Sequence, residues 1–305
     1  MVTHDGPQGK VGGRTARVLA AVITYNPEGT LPAHLQALRS QCDTLVVIDN
    51  GSSNLDFVRE ASAATGSRLA CNGANLGVAA ALTQAASMAV EQGAEWLATF
   101  DQDSLCPLSA FTGLLDVYDR HPERERIGVL ALSHCDRATG RDYHHPLDIL
   151  ADGGEWRTLR STITSGSLVR VSLFPQIGFF DDTLFIDAVD HEFCLRARKQ
   201  GWLVVESRRH VLEHSIGNAT EHRLLGRRIV CTHHSPQRRY YMTRNQLEVC
   251  ARNVLVDPAW AAKGILQFVA GSLAALLYET DKRAKLGAML QGMWHFARRR
   301  FGPRP

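Results

Sequence analysis

The chemistry available to this sequence is carried by carboxylates at the ends of apolar runs. Asp101-Gln-Asp103-Ser104 follows directly on the apolar stretch Trp96–Phe100, which has the length of a buried strand. Two acids one residue apart can share one cation, and hard oxygen ligands suit a divalent metal that also holds substrate phosphates. Asp-x-Asp by itself is a weak signal, because Asp and Ser also serve as turn and cap residues. Asp49 ends a second buried run, Thr44–Ile48. Further along, Asp181, Asp182, Asp187, Asp190 and Glu192 crowd a segment anchored by Phe185, Ile186, Val189, Phe193 and Leu195. Asp190 falls near the first turn of a predicted helix. It can serve as a helix-dipole partner or as a general base, since a carboxylate ionised at neutral pH can accept a hydroxyl proton.

These residues need a frame that brings strand ends together. Val18–Tyr25, Thr44–Ile48, Arg68–Cys71, Trp96–Phe100 and Ile127–Leu132 read as strands. Leu31–Gln41, Asn75 to about Gln92, and Leu108–Asp119 read as helices. The nearly continuous apolar character of the strands belongs to a parallel sheet covered on both faces. The alternation implies a doubly wound α/β architecture, in which ligands bind outside the carboxyl ends of the strands. Asp49 and Asp101 then lie along one crevice. Asn75 and Gly77, at a helix entry, offer backbone N–H groups to an anion. The sequence has neither a Gly-x-Gly-x-x-Gly after the first strand nor a Gly-Lys-Ser phosphate loop, so dinucleotide and P-loop readings lose support. Ser165 and Gly166, before Leu168-Val169, suit a backbone that comes close to a bound ligand. Arg238, Arg239 and Arg244 offer guanidinium groups for phosphate. His134, His144 and His145 read as solvated loop histidines. Trp202–Glu206 is a further strand, and His214, after the strand-like run from Val211, is a candidate third metal ligand.

The bulk composition is that of an ordinary globular protein, 45% hydrophobic and 21% charged, and a net charge of +3 gives no argument for nucleic acid. Seven cysteines without a Cys-x-x-Cys pair read as reduced thiols. Residues 1–15 are polar and Gly-rich, with no apolar core of a signal peptide or anchor, and are expected to be a disordered tail. Residues 16–253 would form the catalytic domain and 254–305 a basic, amphipathic helical extension. A helix over Gly264–Glu279 would be about 24 Å long, short of a bilayer span. Its mixture with Lys282, Arg283, Trp294 and Arg298–Arg300 suits a helix lying in an anionic membrane surface. The alternative is a helical pair packed on the catalytic domain, or a homodimer contact.

Taken together, Val22-Ile-Thr-Tyr-Asn26, Val47-Ile-Asp49-Asn-Gly-Ser52, Asn75-Leu-Gly77, Phe100-Asp-Gln-Asp-Ser104, Phe185-Ile-Asp187-Ala-Val-Asp190, His214-Ser-Ile-Gly217 and Tyr240-Tyr-Met-Thr-Arg-Asn245 resemble, in order and spacing, the family 2 glycosyltransferases of the GT-A fold. The form Phe-Asp-Gln-Asp-Ser is similar to their bacterial rhamnosyltransferase branch. The resemblance covers about Val18 to Asn253. It implies that Thr24 and Asp49 contact a pyrimidine base, with Asn26, Asn75 and Gly77 in the same nucleotide-sugar site. Asp101 would face ribose and diphosphate, and Asp103 and His214 would ligate Mg²⁺ or Mn²⁺. Asp190 would be the catalytic base, with Asp187 the competing assignment because Val189 stands where the family has Glu. The implied reaction is inverting transfer of L-rhamnose from dTDP-L-rhamnose to a glycan or lipid-linked acceptor, on the cytoplasmic face of the inner membrane. The alternatives are another nucleotide sugar, UDP-galactofuranose or a UDP-hexose, and a catalytically silent nucleotide-sugar scaffold.

Overall fold

The computed structural model describes residues 16–136, 146–214, 220–224 and 227–305; the expected N-terminal tail, and His144 and His145, lie outside them. The chain runs β1 (Val18–Thr24), α1 (Leu31–Arg39), β2 (Thr44–Asp49), α2 (Leu55–Thr65), β3 (Arg68–Cys71), α3 (Val78–Glu91), β4 (Trp96–Asp101), α4 (Ala110–Arg120) and β5 (Ile127–Asp136). It continues β6 (Ile149–Asp152), β7 (Trp156–Leu159), β8 (Ser167–Arg170), α5 (Phe174–Ile177), α6 (Val189–Lys199), β9 (Leu203–His214), β10 (Thr220–Leu224) and β11 (Arg227–Cys231). Three helices close it, α7 (Pro236–Asn253), α8 (Pro258–Tyr278) and α9 (Lys282–Ala297).

Nine strands form one sheet in the order β3-β2-β1-β4-β8-β5-β9-β7-β6. β3, β2, β1 and β4 pair in parallel. Only β8 and β7 run against the other strands. Every residue of β1 is buried, and the two faces divide it by alternation. Leu19, Ala21 and Ile23 pack with Ala85, Ala86 and Ala89 of α3. Val18, Ala20 and Val22 pack with Leu31 and Leu35 of α1 and Leu114 of α4. The small residues of α3 let it lie close on the sheet. The carboxyl ends of β1, β2 and β4 therefore open on one edge, the site geometry expected of an open α/β sheet.

The expected strands and helices of the first 132 residues are present. Helix α2 and strands β6, β7, β10 and β11 were not expected. Trp202–Glu206 and the run from Val211 are one strand, β9, with an irregular register against β5. Helix α8 begins at Pro258, not Gly264, because Asp257 caps it by accepting from the Trp260 N–H at 3.1 Å and Pro258 occupies the first turn. At 21 residues it is about 31 Å long. By length and composition it is long and apolar enough to cross a membrane, which corrects the expectation of a helix too short to do so.

Candidate active site

A cleft of about 650 Å³ lies at that edge, walled by the ends of β1 and β4, the entry to α3 and the segment Phe185–His191. Thr24, Asn75, Gly77, Asp101, Asp103, Asp187 and Asp190 all line it. A second concavity of about 570 Å³ lies at the opposite end of β4, by Trp96 and Arg170. Its guanidinium donates to the Glu125 carbonyl at 2.8 Å and to the Tyr118 hydroxyl. It is far in the sheet from the converging carboxylates.

The first wall is a polar lattice. Asp49 is buried and accepts from the Gly51 and Ser52 N–H groups at 3.1 and 3.0 Å, from Thr24 Oγ1 at 3.2 Å and from the Ser52 hydroxyl. It shapes the turn after β2. Asn26 accepts from Ser53 N–H and hydroxyl at 2.7 and 2.8 Å, tying the end of β1 to the same turn. Asn50, which the sequence reading did not single out, is 2% exposed and donates to Asn75 Oδ1 at 3.2 Å while accepting from Asn72 and the Leu76 N–H. Asn75 in turn accepts from the Gly77 N–H at 3.0 Å. Gly77 has φ +90°, and an added Cβ would meet Phe185 at 2.6 Å. Part of the helix entry is already used: the Ala79 N–H donates to the Phe185 carbonyl at 3.1 Å.

The Asp101–Asp103 turn rests on Ser165. Its hydroxyl accepts from the Asp101 N–H at 3.1 Å and pairs with the Ser104 hydroxyl at 2.7 Å. Ser165 is 1% exposed, and Gly166, at φ +76°, packs against Leu212 and Leu132. These two residues hold the Asp101–Asp103 turn from beneath; burial keeps the Ser165 hydroxyl from an acceptor. His134 is also buried, its Nε2 within 2.9 Å of the Ser165 carbonyl, so the solvated-loop reading of it is corrected.

Opposite lies Phe185–Asp190. Phe185, Asp187 and Ala188 all have positive φ, near 66°, 66° and 62°, costly for residues with a Cβ and typical of functional sites. Helix α7 holds this backbone in place. Asn245 Nδ2 donates to the carbonyls of Leu184, Ile186 and Asp187 at 2.7, 2.7 and 3.0 Å. Arg244 donates to the carbonyls of Thr183 and Leu184 at 3.2 and 3.1 Å and to that of Gly302 at 2.7 Å. Its guanidinium lies 5.2–5.4 Å from the rings of Tyr240, Tyr241 and Phe301. Arg244 is fully buried, so the expectation that it clamps phosphate is corrected. Arg239 is likewise buried, on Glu279 at 2.6 Å. Of the three arginines only Arg238 lines the cleft. The Arg-Asn pair on a helix was in the sequence; what it grips was not.

Asp187 and Asp190 differ sharply. Asp187 pairs with Arg238 at 3.2 Å, and burial pushes its carboxyl above the usual range against the pull of Arg238, with Asp190 adding to the rise. Asp190 stands in the first turn of α6 and accepts from the His191 N–H at 2.8 Å. No cation pairs with it among the described residues. His234, also on the cleft, is held neutral: burial, then Arg238, lowers its pKa to about 4.

The donor set fits a hard divalent cation in part. Asp103 is exposed to the cleft, and no described residue donates to its carboxylate. Among the described residues no three His, Cys, Asp or Glu side chains converge to hold an ion unaided, so a cation here would take further oxygens from a phosphate-bearing ligand. His214 is the last residue of β9, its backbone in register with Asp136; its side chain lies outside what is described.

An open α/β sheet with a cleft of about 650 Å³ at its carboxyl edge, lined by facing carboxylates, is a setting for a polar, phosphate-bearing ligand. A family model described as glycosyl transferase family 2 matches residues 20–177, and the chain belongs to that family. It is 30% identical over 250 residues to the dTDP-rhamnosyl transferase RfbF of Shigella flexneri, covering 78% of this chain and 81% of that protein. Among solved structures, S. aureus TarS 1–349 in complex with UDP superposes with a TM-score of 0.56 at 16% identity, over 93% of this chain and 87% of that one. GalNAc-T7 with UDP, GalNAc and Mn²⁺ gives 0.52 at 14% identity, over 93% and 57%. The fold is GT-A, and the protein is a glycosyltransferase.

Proposed function

We propose that this enzyme transfers L-rhamnose from dTDP-L-rhamnose, with inversion, to a hydroxyl of a cell-surface glycan or its lipid-linked precursor. The observation that carries the mechanism is Asp190, without a cationic partner among the described residues, on the same cleft as the Asp101–Asp103 turn. The relation to RfbF supports the donor. Thr24 and the Asn50–Asn75 lattice would receive the nucleotide, with Arg238 close to the diphosphate. Asp190 takes the acceptor proton as that oxygen attacks the anomeric carbon. The bond to the diphosphate oxygen breaks on the opposite face through an oxocarbenium-like transition state. No covalent enzyme intermediate forms. Mg²⁺ or Mn²⁺ held by Asp101 and Asp103 would offset charge on the departing diphosphate. Asp187, already engaged by Arg238, positions the loop and that arginine.

The test is calorimetric titration with dTDP and UDP, with and without Mg²⁺, on wild type and Asp103→Ala. Metal-dependent dTDP binding that is tighter than UDP binding and lost in the variant supports the reading. A preference for UDP removes rhamnose as the donor. No binding of either by folded protein rejects the cleft assignment.

A further inference from the structure

Helix α8 is arranged the wrong way round for a helix finished by its own domain. Apart from Trp260 in its first turn, it turns small residues inward: Ala261, Gly264, Ala274 and Ala275 are buried against α7 and β11. It turns large ones outward. Leu266, Val269, Leu273 and Leu277, spaced three and four apart, are 70%, 47%, 55% and 53% exposed. No charged residue interrupts that stripe. Helix α9 also exposes large apolar residues, Leu286, Leu290 and Trp294, at four-residue spacing. A helix apolar all round is normally covered on every side, and contiguous exposed apolar surface marks an interaction site.

The surrounding charge identifies the cover. From Lys282 to Pro305 the chain has seven Lys or Arg and no acid. Lys282, Arg283, Arg298 and Arg300 are exposed at the two ends of α9, and the Arg298 guanidinium lies over Trp294 at 4.3 Å. In a two-fold contact the same patch meets itself, so a second copy would bring cations to cations. An anionic headgroup layer is complementary. The helix is also fixed side-on. Asp257 at its start pairs with Arg160 and Arg198, and Lys263 pairs with Asp148. These ties hold it along the domain and leave its outer stripe to lie in the interface.

We propose that the α8–α9 hairpin is an in-plane docking surface for an anionic lipid bilayer. The inference does not rest on the donor assignment, because vesicle binding is read without turnover. The test is flotation of the full chain with phosphatidylcholine vesicles and with vesicles containing one-third phosphatidylglycerol. Wild type floats with the anionic vesicles only. Leu266→Glu/Leu273→Glu lowers partitioning by more than roughly tenfold. Arg283→Glu/Arg300→Glu lowers it by roughly 30-fold. Both variants keep the wild-type melting temperature and nucleotide affinity. Equal binding to neutral vesicles overturns the proposal. So does failure to float, whether the protein is then monomeric or self-associates in sedimentation velocity.

Discussion

At Asp190 and Asp187, two carboxylates three residues apart receive different work from their surroundings. Asp187 is desolvated and paired with Arg238; Asp190 faces the cleft at the start of α6. Asp190→Asn should lower kcat by roughly 10²–10⁴-fold while leaving dTDP affinity intact, as steady-state kinetics and calorimetry would show; unchanged turnover would move the base elsewhere. Asn245 should act by positioning. Asn245→Ala removes the side-chain donor to the Ile186 and Asp187 carbonyls of a strained loop, and one of the donors to Leu184, costing roughly 1–3 kcal/mol in thermal unfolding. In Asn245→Ala kcat should fall while dTDP affinity is kept, because the loop that presents Asp190 loses its tether. Asn245→Asp, which keeps the shape but removes the N–H donors, should not rescue it.

The elements that position these groups depend on a few close approaches. Gly77 starts α3 at φ +90° directly against Phe185, so Gly77→Ala must displace either the helix entry or the Phe185–Asp190 loop. It should cost roughly 1–3 kcal/mol and abolish nucleotide binding, measurable by denaturant melts and calorimetry. Helix α1 packs on β4, the strand that ends in Asp101. His34 is fully buried, its ring 5.4 Å from Phe100 and both ring nitrogens without a partner. Burial lowers its pKa from 6.5 to about 4. The folded state therefore resists protonation more than the unfolded state. The stability this adds is complete above about pH 6.5 and is lost as pH falls through about 4, roughly 3 kcal/mol in all. His34→Leu should flatten that part of the stability–pH curve; an unchanged slope between pH 6.5 and 4 would show that another group carries it.

Across the molecule, the C-terminal helices brace the site. Glu279, fully buried between α8 and α9, receives Arg239 of α7 at 2.6 Å and Lys285 of α9 at 2.8 Å. Gly292 of α9 sits where a Cβ would lie 2.7 Å from the Tyr240 carbonyl, and Arg299 pairs with Glu248. The chain end returns to the segment that leads into the Phe185–Asp190 loop, the Gly302 N–H donating to the Thr183 carbonyl at 2.7 Å. Glu279→Gln would strand two buried cations and should lower unfolding free energy by about 3–5 kcal/mol. Because α7 holds both this cluster and the loop through Arg244 and Asn245, kcat should fall in the same variant. Loss of stability with full turnover would show that the two are not coupled.

Much of this was legible in the chain before it was folded. Continuous apolar runs ending in Asp49 and Asp101 predict buried parallel strands and a polar edge, because side-chain burial and strand ends are local properties of the sequence. The order of the motifs was enough to place the family. Short strands such as β6 and β7 were not legible, since four residues carry too little pattern. The roles of Arg244, Ser165 and Arg238 were not legible either. Whether an arginine meets phosphate, carbonyls or a carboxylate depends on which backbone arrives opposite it from 60 residues away. Only packing decides which side of an apolar helix is covered, so the outward face of α8 emerged only when its small residues were found turned to the domain.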